Sequence, residues 1–142
     1  MTIKRTGSAV WQGGLKDGKG TVSTESGALS SLPYGFSSRF EGEQGTNPEE
    51  LLGAAHAGCF SMALSKILGD AGLTADKLET TAEVSLNQVE GGFAIKSVHL
   101  TLKASVPGAD AAKVEELAGM AKAGCPVSKL FNADITLDVT VV

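Results

Sequence analysis

One long apolar segment limits the fold of this chain more than any other part of its sequence. Asn47 can cap a helix, Pro48 suits the first helical position, and Glu50 stands where a capping box places an acid. Residues 51–68 are then apolar on nearly every side, and two glycines soon afterwards provide a stop. A helix without a clear polar stripe is buried on most of its sides. We therefore expect one long central helix over about residues 48–68, buried in the core.

Segments with the two-residue alternation of β-strands lie before this helix. Residues 3–11 and 21–24 are predicted strands, and the glycines between them supply the turn. Residues 36–41 are predicted to be extended as well, with two phenylalanines on one face and Arg39 on the opposite face. The first part of the chain is therefore expected to be rich in strands.

A strand pair, a second helix and a final strand are predicted after the central helix. Gly91 and Gly92 supply the turn between the paired strands, and a change of apolar phase near Lys96 predicts a bulge in the second of them. Helical residues run from about 109 to 123, and the alternating residues 134–141 predict the last strand. The order β-β-β-α-β-β-α-β is that of an α+β domain.

The predicted fold is α+β, with antiparallel sheets packed on two main helices. No internal repeat and no linker divides the chain, so residues 1–142 are expected to form a single domain. Its parts would be an N-terminal β-rich part over about residues 1–45, the central helix, and a C-terminal ββαβ part over about residues 79–142. A chain of this length buries roughly 70% of its unfolded surface, which is enough for a core.

Charge and composition argue against several kinds of partner. The net charge is −4 and the 12 Lys and Arg residues are scattered, whereas nucleic acids and anionic membranes need clustered cations. No signal peptide is recognised at the N-terminus, and no stretch approaches the roughly 20 apolar residues of a membrane span. We therefore expect no nucleic-acid or membrane partner and a cytoplasmic location. In that reducing compartment the two cysteines are not expected to form a static structural disulfide.

The two cysteines stand in contexts that suit redox chemistry. Cys59 lies in the central helix among small residues, so a small substrate can approach it closely. Cys125 precedes Pro126, which favours the first position of a helical turn, and backbone N–H groups at such a position favour a thiolate. Each cysteine taken alone is explained as well by core packing. The pair is the more informative signal.

Two other chemistries use the same residues. His56 and Cys59 lie three apart on one helix face and, with His99 and Cys125, could make a zinc site. His99 falls in the strand phase opposite to its apolar neighbours, and no second close-spaced pair exists, which disfavours that site. His56 could also serve as the base of a Cys–His hydrolase, although no third orienting group is evident. Partly buried packing is the favoured explanation of His56.

Three segments carry a resemblance to a known family. They are NPEELLGAAHAGCFSMAL at residues 47–64, AGCPVS at residues 123–128 and PYGFSSRFEG at residues 33–42. In these segments the chain resembles the superfamily of OsmC and the organic hydroperoxide resistance proteins, and the resemblance extends over the whole chain. His56 and a longer N-terminus favour the OsmC branch. The paired cysteine contexts are specific, whereas either alone would be weak.

The resemblance implies an intertwined homodimer with two active sites at its interface, in which β-rich parts wrap around central helices. It also implies a Cys-dependent peroxidase that reduces organic hydroperoxides to alcohols in defence against oxidative stress. Neither a cofactor nor a metal is implied. The reductant would be a dithiol, notably that of a lipoylated protein.

The family's site residues match four positions of this sequence. The resemblance assigns the reactive thiol to Cys59, which would become a sulfenic acid, and the resolving thiol to Cys125, which would close a disulfide with it. It assigns the activating guanidinium to Arg39 and the acidic partner of that guanidinium to Glu49, beside which Glu50 is an alternative. All four residues are therefore candidate catalytic residues.

The spacing of Glu49 and Cys59 limits how one site can be built. Ten residues of helix span about 15 Å, so the acid and the thiol of one site are expected to come from different subunits. Leu51, Phe60 and Met62, together with the strands, are expected to form apolar walls for the alkyl or aryl group of the substrate. Two alternatives remain open: a non-catalytic dimer that binds an apolar ligand, and the metal or Cys–His hydrolase site.

Overall fold

The computed structural model describes all 142 residues, which divide into two units, Met1–Leu51 and Leu52–Val142. The first unit contains a three-stranded antiparallel sheet in the order β1-β2-β3. Its strands are β1 (Gly7–Gln12), β2 (Lys19–Thr24) and β3 (Leu32–Tyr34). The strand predicted over residues 3–11 thus begins later than expected, and the prediction over residues 21–24 is confirmed.

The segment predicted to be extended over residues 36–41 is instead a short helix, α1 (Phe36–Phe40). Ser38 stabilises its first turn, because its hydroxyl accepts the backbone N–H of Gly35 at 3.1 Å and donates to the carbonyl of Thr46 at 2.9 Å. The two phenylalanines stand four residues apart and share a face in either structure. Their ring centroids lie 5.0 Å apart in the helix. The prediction of a strand here is wrong because a four-residue spacing places two side chains on one face both in a strand and in a helix.

The central helix, α2 (Pro48–Asp70), begins where its capping residues predict. The backbone N–H of Glu50 donates to Asn47 Oδ1 at 2.9 Å, and the Asn47 amide donates to the Glu50 carboxylate. At the other end the N–H of Leu73 returns to the carbonyl of Leu68 at 2.8 Å. Gly72 makes this return possible with a φ of +77°, a conformation that glycine adopts at little cost.

The second unit contains a mixed sheet in the order β4-β5-β6. Strands β4 (Lys77–Val89) and β5 (Gly92–Ser105) form an antiparallel hairpin, and β6 (Asp134–Val141) lies parallel to β5. The prediction of purely antiparallel sheets is therefore wrong. Between β5 and β6 the chain passes through two helices, α3 (Ala111–Gly124) and α4 (Pro126–Leu130), and such a crossover is what a parallel pair requires.

The bulge predicted in β5 is present. Ser85 pairs with Ser97 whereas Leu86 pairs with Ile95, so Lys96 is the additional residue of the longer strand. Beyond the bulge, alternate side chains of β5 face the core and are fully buried. The other contributors to this core come from α2, α3 and the inward face of β6. The fully buried or nearly buried members are Phe60, Leu64, Leu68, Leu100, Leu102, Ala104, Val106, Val114, Leu117, Ala118, Ala121 and Cys125.

Within one chain, α2 is buried on one side only. Its buried residues recur every three or four positions and are Gly53, His56, Phe60, Leu64 and Leu68. The expectation of burial on most sides is therefore wrong for the single chain, since Ala54, Gly58 and Met62 are exposed. The helix is also long and apolar enough to match a membrane span, contrary to the sequence-based expectation. Core helices of globular proteins meet the same criteria, and the buried stripe of α2 packs into the core described above.

Candidate active site at the cysteine pair

Cys59 and Cys125 are 66 residues apart in sequence, and their sulfur atoms lie 2.9 Å apart in the folded chain. Helix α2 carries Cys59 next to its buried stripe, and Cys125 is the residue that precedes the first turn of α4. Pro126 opens that turn, as the sequence predicts. Both thiols are free, and their separation is within about 1 Å of a disulfide bond. Cys59 is partly exposed, whereas Cys125 is fully buried.

The environments of the two sulfur atoms differ in their hydrogen-bond donors. Burial raises the pKa of Cys59, and the hydrogen bond with Cys125 raises it further. The backbone N–H of Val127 acts in the opposite direction and lowers it. Burial also acts to raise the pKa of Cys125, but the polar surroundings provided by Cys59, Ser128 and Val127 outweigh it and lower that pKa. The two thiols share a hydrogen bond and therefore titrate as a pair.

The resemblance assigns an activating guanidinium to Cys59, but the second unit by itself does not lower the pKa of this thiol. The groups that act on this thiol there are the burial of its side chain, Cys125 and the N–H of Val127, and none of them is a cation. The pKa of Cys59 in the second unit is therefore raised rather than lowered.

Arg39 and Glu49 form an ion pair within the first unit. Helix α1 carries Arg39, and the first turn of α2 carries Glu49. Both Nε and Nη2 of Arg39 donate to Glu49 Oε1, at 3.1 and 2.9 Å. The carboxylate is only 11% exposed and the guanidinium 36%. Glu50, the alternative acid, is engaged with Asn47 in the helix cap.

An aromatic cavity of about 180 Å³ adjoins Arg39 in the first unit. The guanidinium lies over the ring of Phe40 at 5.3 Å, and the rings of Trp11 and Tyr34 are 5.4 Å apart. The residues that line this cavity are Trp11, Leu15, Tyr34, Gly35, Phe36, Arg39 and Phe40.

The apolar walls expected from residues of α2 are not where the sequence placed them. Phe60 is fully buried in the core, and Met62 is 77% exposed. The strands were also expected to contribute walls, but the sequence did not single out Trp11, which ends one predicted strand, or Tyr34, which lies in a segment of the family resemblance. Their alignment across the sheet depends on strand register, because Trp11 pairs with Gly20 and Gly20 with Tyr34.

His56 lies near the cysteine pair but is engaged with a residue that sequence reasoning missed. Its Nε2 is 2.7 Å from the hydroxyl oxygen of Ser128, and its ring contacts Phe131 edge-on at 5.3 Å. The imidazole is fully buried rather than partly buried, and burial lowers its pKa. The only sequence signal for Ser128 is its place at the end of the AGCPVS segment.

His99 is not brought to the cysteines. Its ring is at the surface of the sheet, where Nδ1 lies 2.6 Å from Thr136 Oγ1 and Nε2 lies 3.0 Å from Asp138 Oδ2. The zinc ligand set considered from the sequence is therefore not assembled. No cluster of three or more His, Cys, Asp or Glu side chains in the chain could hold a metal ion.

Comparisons with known proteins agree on one family. The family described as OsmC-like protein matches residues 41–140. Peroxiredoxin OsmC of Escherichia coli strain K12 is 59% identical over 97% of this chain and 96% of its own length. The crystal structure of the organic hydroperoxide resistance protein OhrB of Bacillus subtilis superposes with a TM-score of 0.71 and 30% identity. That superposition covers 95% of this chain and 98% of the other.

A third match comes from Legionella pneumophila. The crystal structure of its organic hydroperoxide resistance protein OsmC has a TM-score of 0.72 and 29% identity, and the match covers 99% of this chain and 100% of the other. The similarity therefore extends over essentially the full length of the chain in both sequence and fold.

Proposed function

Because the chain belongs to the OsmC family, as its cysteine motifs predict, we propose that it is a Cys-dependent peroxidase that reduces organic hydroperoxides to alcohols. The observation that carries this proposal is the pair of free thiols at 2.9 Å in a chain 59% identical to a peroxiredoxin. A reactive thiol and a second thiol within reach are what a two-cysteine peroxidase cycle requires. The enzyme would serve in defence against oxidative stress.

The cycle assigns a separate role to each thiol. The thiolate of Cys59 attacks one oxygen of the hydroperoxide, so an S–O bond forms and the O–O bond breaks. The alkoxide leaves, takes up a proton and departs as the alcohol, while Cys59 remains as a sulfenic acid. Cys125 then attacks the sulfur of Cys59, forming the disulfide and releasing water. An external dithiol supplies the two electrons that restore both thiols.

Exposure supports the choice of Cys59 as the first nucleophile. A substrate can reach a partly exposed thiol directly, whereas Cys125 is fully buried and is reached by the sulfur beside it. The apolar cavity next to Arg39 has aromatic walls that suit an alkyl or aryl group. A substrate with such a group would gain binding energy there that hydrogen peroxide cannot obtain.

Arg39 and Glu49 would activate the reaction. A guanidinium close to Cys59 would lower the pKa of that thiol and stabilise negative charge on the peroxide oxygens. The nearly buried carboxylate of Glu49 holds the guanidinium by two hydrogen bonds, which restricts its orientation. Since Glu49 and Cys59 are ten residues apart on one continuous helix, we propose that the ion pair serves the thiol of a second subunit.

The exposed face of α2 supports a homodimer built on paired central helices. Gly53 is explained within the chain, because an added Cβ would stand 2.9 Å from the carbonyl oxygen of Ala82. Gly58 is not, because an added Cβ there would meet nothing within 4 Å. A glycine inside a helix costs about 1 kcal/mol relative to alanine. Close approach of a second α2 against Ala54, Gly58 and Met62 would account for it, and antiparallel packing would create two identical sites.

The remaining partners follow from the same chemistry. We propose that the whole chain acts as one domain in the cytoplasm, with no bound cofactor or metal. Its reductant would be a dithiol, such as that of a lipoylated protein, because a dithiol can attack the disulfide and then close on itself. Neither nucleic acid nor a membrane is a proposed partner.

The test is a stoichiometric titration with cumene hydroperoxide. The reduced protein is mixed with one equivalent, free thiols are counted, and the alcohol is quantified. We expect both thiols to disappear and one equivalent of alcohol to form. Retention of both thiols would contradict the proposal. It would instead favour the non-catalytic dimer, which would bind the hydroperoxide as an apolar ligand without reducing it, or the metal or Cys–His hydrolase site.

A further inference from the structure

The short helix α4 sets the position of Cys125, which immediately precedes it. The backbone–backbone hydrogen bonds of this segment all stay within residues 121–131, and none of them reaches α2, which carries Cys59. Two side-chain hydrogen bonds join the segment to α2. One connects the two cysteines, and the other connects His56 with Ser128.

The two side-chain contacts lie side by side. His56 is three residues before Cys59 on α2, and residues three apart occupy neighbouring places on one helix face. Ser128 is three residues after Cys125, within the single turn of α4. The His56 Nε2 and the Ser128 hydroxyl oxygen lie 2.7 Å apart, and the two sulfur atoms lie 2.9 Å apart. The polar pair therefore fixes the spacing of the same two segments that carry the thiols.

The contact between His56 and Ser128 is shielded from water. The imidazole is fully buried and the serine is 9% exposed, and they are the two polar residues among the buried positions. Burial prevents water from competing for their hydrogen bond, and loss of either partner would leave the other unsatisfied. The imidazole also contacts the ring of Phe131 edge-on at 5.3 Å, which limits its orientation from a second side. The contact is therefore short, directional and firmly held.

Stability alone is a poor explanation of this polar pair. Nδ1 of His56 is buried as well and has no hydrogen-bond partner in the protein. A buried polar atom without a partner costs free energy, and apolar residues of similar shape can replace a buried polar pair at little cost. The core cluster that contains Cys125 is made of hydrophobic residues. The bond between His56 and Ser128 supplies a direction that such apolar packing does not.

We propose that His56 and Ser128 are positioning residues whose hydrogen bond holds Cys125 in place for its attack on the oxidised Cys59. The inference rests on the proposed function, which gives the two thiols their roles. Oxidation places an oxygen on the sulfur of Cys59 and so changes the thiol–thiol contact, whereas the polar pair is untouched. The pair keeps the Cys125 sulfur within about 1 Å of bonding distance, and such proximity raises the rate of a reaction.

The step that the polar pair assists is closure of the disulfide. The sulfur of Cys125 attacks that of Cys59, so an S–S bond forms and the S–O bond breaks. The proton of the Cys125 thiol and the departing hydroxide leave together as water. Neither His56 nor Ser128 gains or loses a proton. The preceding attack of Cys59 on the hydroperoxide does not involve Cys125, and we expect it to be independent of the pair.

The first test measures how well the fold presents Cys125 to Cys59 and needs no hydroperoxide. The protein is equilibrated in glutathione buffers, and the effective concentration of one thiol toward the other is obtained from the fraction of disulfide. We expect Ser128→Ala and His56→Leu each to lower this effective concentration roughly fivefold, the factor of one hydrogen bond. Ser128→Thr, which keeps the hydroxyl, should restore it.

Two comparisons identify the contact itself. Ser128→Ala combined with His56→Leu should lower the effective concentration no further than either change alone, because both remove the same hydrogen bond. Ser61→Ala is the matched control, because the Ser61 hydroxyl joins α2 to Thr80 of β4 at 2.7 Å rather than to α4. It should leave the effective concentration unchanged.

The second test separates the two steps of the reaction. After one equivalent of cumene hydroperoxide, Ser128→Ala should release the alcohol at the rate of the unmodified protein, while closure of the disulfide slows by a similar factor. The sulfenic acid of Cys59 should then persist long enough to be trapped by dimedone. A role confined to the stability of the fold would slow both steps or neither.

An unchanged effective concentration in the folded Ser128→Ala protein would overturn the inference, as would additive losses in the double variant. If Ser128→Ala does not fold, His56→Gln and His56→Leu decide, because the glutamine amide can replace Nε2 in the hydrogen bond and leucine cannot. Equal effective concentrations in these two variants would also overturn it. Failure of the proposed function would appear differently, as an unmodified protein that consumes no hydroperoxide while the glutathione equilibria still separate the variants.

Discussion

Arg39 and Glu49 stand ten residues apart and form an ion pair in which two guanidinium nitrogens donate to a single carboxylate oxygen. The pair exists because residues 36–40 are helical and because Glu49 lies in the first turn of the next helix. Glu50 faces the capping residue instead. Glu49 and Glu50 are adjacent on the helix, yet only Glu49 contacts Arg39. Substitution of each acid in turn therefore separates their roles.

We expect the two cysteine variants to fail at different steps. Cys59→Ser should abolish hydroperoxide consumption, because the first nucleophile is lost. Cys125→Ser should release one equivalent of alcohol and then stop, since no sulfur is within 2.9 Å to resolve the sulfenic acid. The measurement is alcohol released per subunit at limiting reductant. Equal residual turnover in both variants would contradict this division of roles between the two thiols. Varying the reductant shows whether an external thiol reduces the sulfenic acid directly, which has to be excluded first.

Removal of the guanidinium should impair both the chemistry of Cys59 and the stability of the chain. Arg39→Ala should raise the pKa of Cys59 and slow alkylation of that thiol at neutral pH. The free energy of unfolding should fall by roughly 1–3 kcal/mol, because loss of the guanidinium leaves the nearly buried carboxylate of Glu49 without its partner. Lys66→Ala, which removes an exposed cation paired with Asp70, is the control and should leave alkylation unchanged. The same apparent pKa of Cys59 in the Arg39 variant and the parent would exclude the activating role.

The two neighbouring acids should separate catalysis from helix capping. Glu49→Ala should slow peroxide reduction, because Arg39 loses the carboxylate that orients it. Glu50→Ala should retain most activity and lower stability by about 1 kcal/mol or less, as expected for a weakened cap. Initial rates and thermal denaturation of both variants provide the comparison. A larger activity loss in Glu50→Ala than in Glu49→Ala would mean that Glu50, and not Glu49, orients Arg39.

Subunit mixing tests whether the ion pair acts on the partner's thiol. The Cys59→Ser homodimer is expected to be inactive, and the Glu49→Ala homodimer is expected to reduce peroxide only slowly. A heterodimer of the two should regain one intact site if acid and thiol come from different chains. Activity is measured after denaturation and refolding of the mixture, with heterodimer formation verified by mass spectrometry. No recovery in verified heterodimers would place both residues of a site in one chain.

Two glycines of α2 should respond in opposite ways to alanine. Gly53→Ala should destabilise the folded chain by roughly 1–3 kcal/mol, because its methyl group would stand 2.9 Å from a backbone oxygen. Gly58→Ala should leave the chain folded but weaken the proposed dimer, whose helices would be held apart by the added methyl group. Thermal denaturation and light scattering after size exclusion measure the two effects. An unchanged dimer constant in Gly58→Ala would argue against paired central helices.

The local signals of the sequence determined the elements that depend on neighbouring residues. Asn47, Pro48 and Glu50 specify where α2 begins, since caps and first-turn preferences act within four residues. The phase change near Lys96 specifies the bulge, and the alternation of residues 134–141 specifies β6. The cysteine segments were sufficient to predict the family, because their residue types are specific in combination.

Other features were decided only by the tertiary structure. A four-residue spacing of apolar side chains suits both a strand and a helix, so packing and the hydrogen bonds of Ser38 determine that α1 is helical. The parallel pairing of β6 with β5 depends on the path through α3 and α4 rather than on the strand itself.

The connection of His56 to Ser128 was decided in the same way. The two residues are 72 positions apart, and no local pattern can bring them together. Contacts at such distances in sequence form only because the apolar faces of α2, α3 and β5 bury one another and carry their polar residues with them.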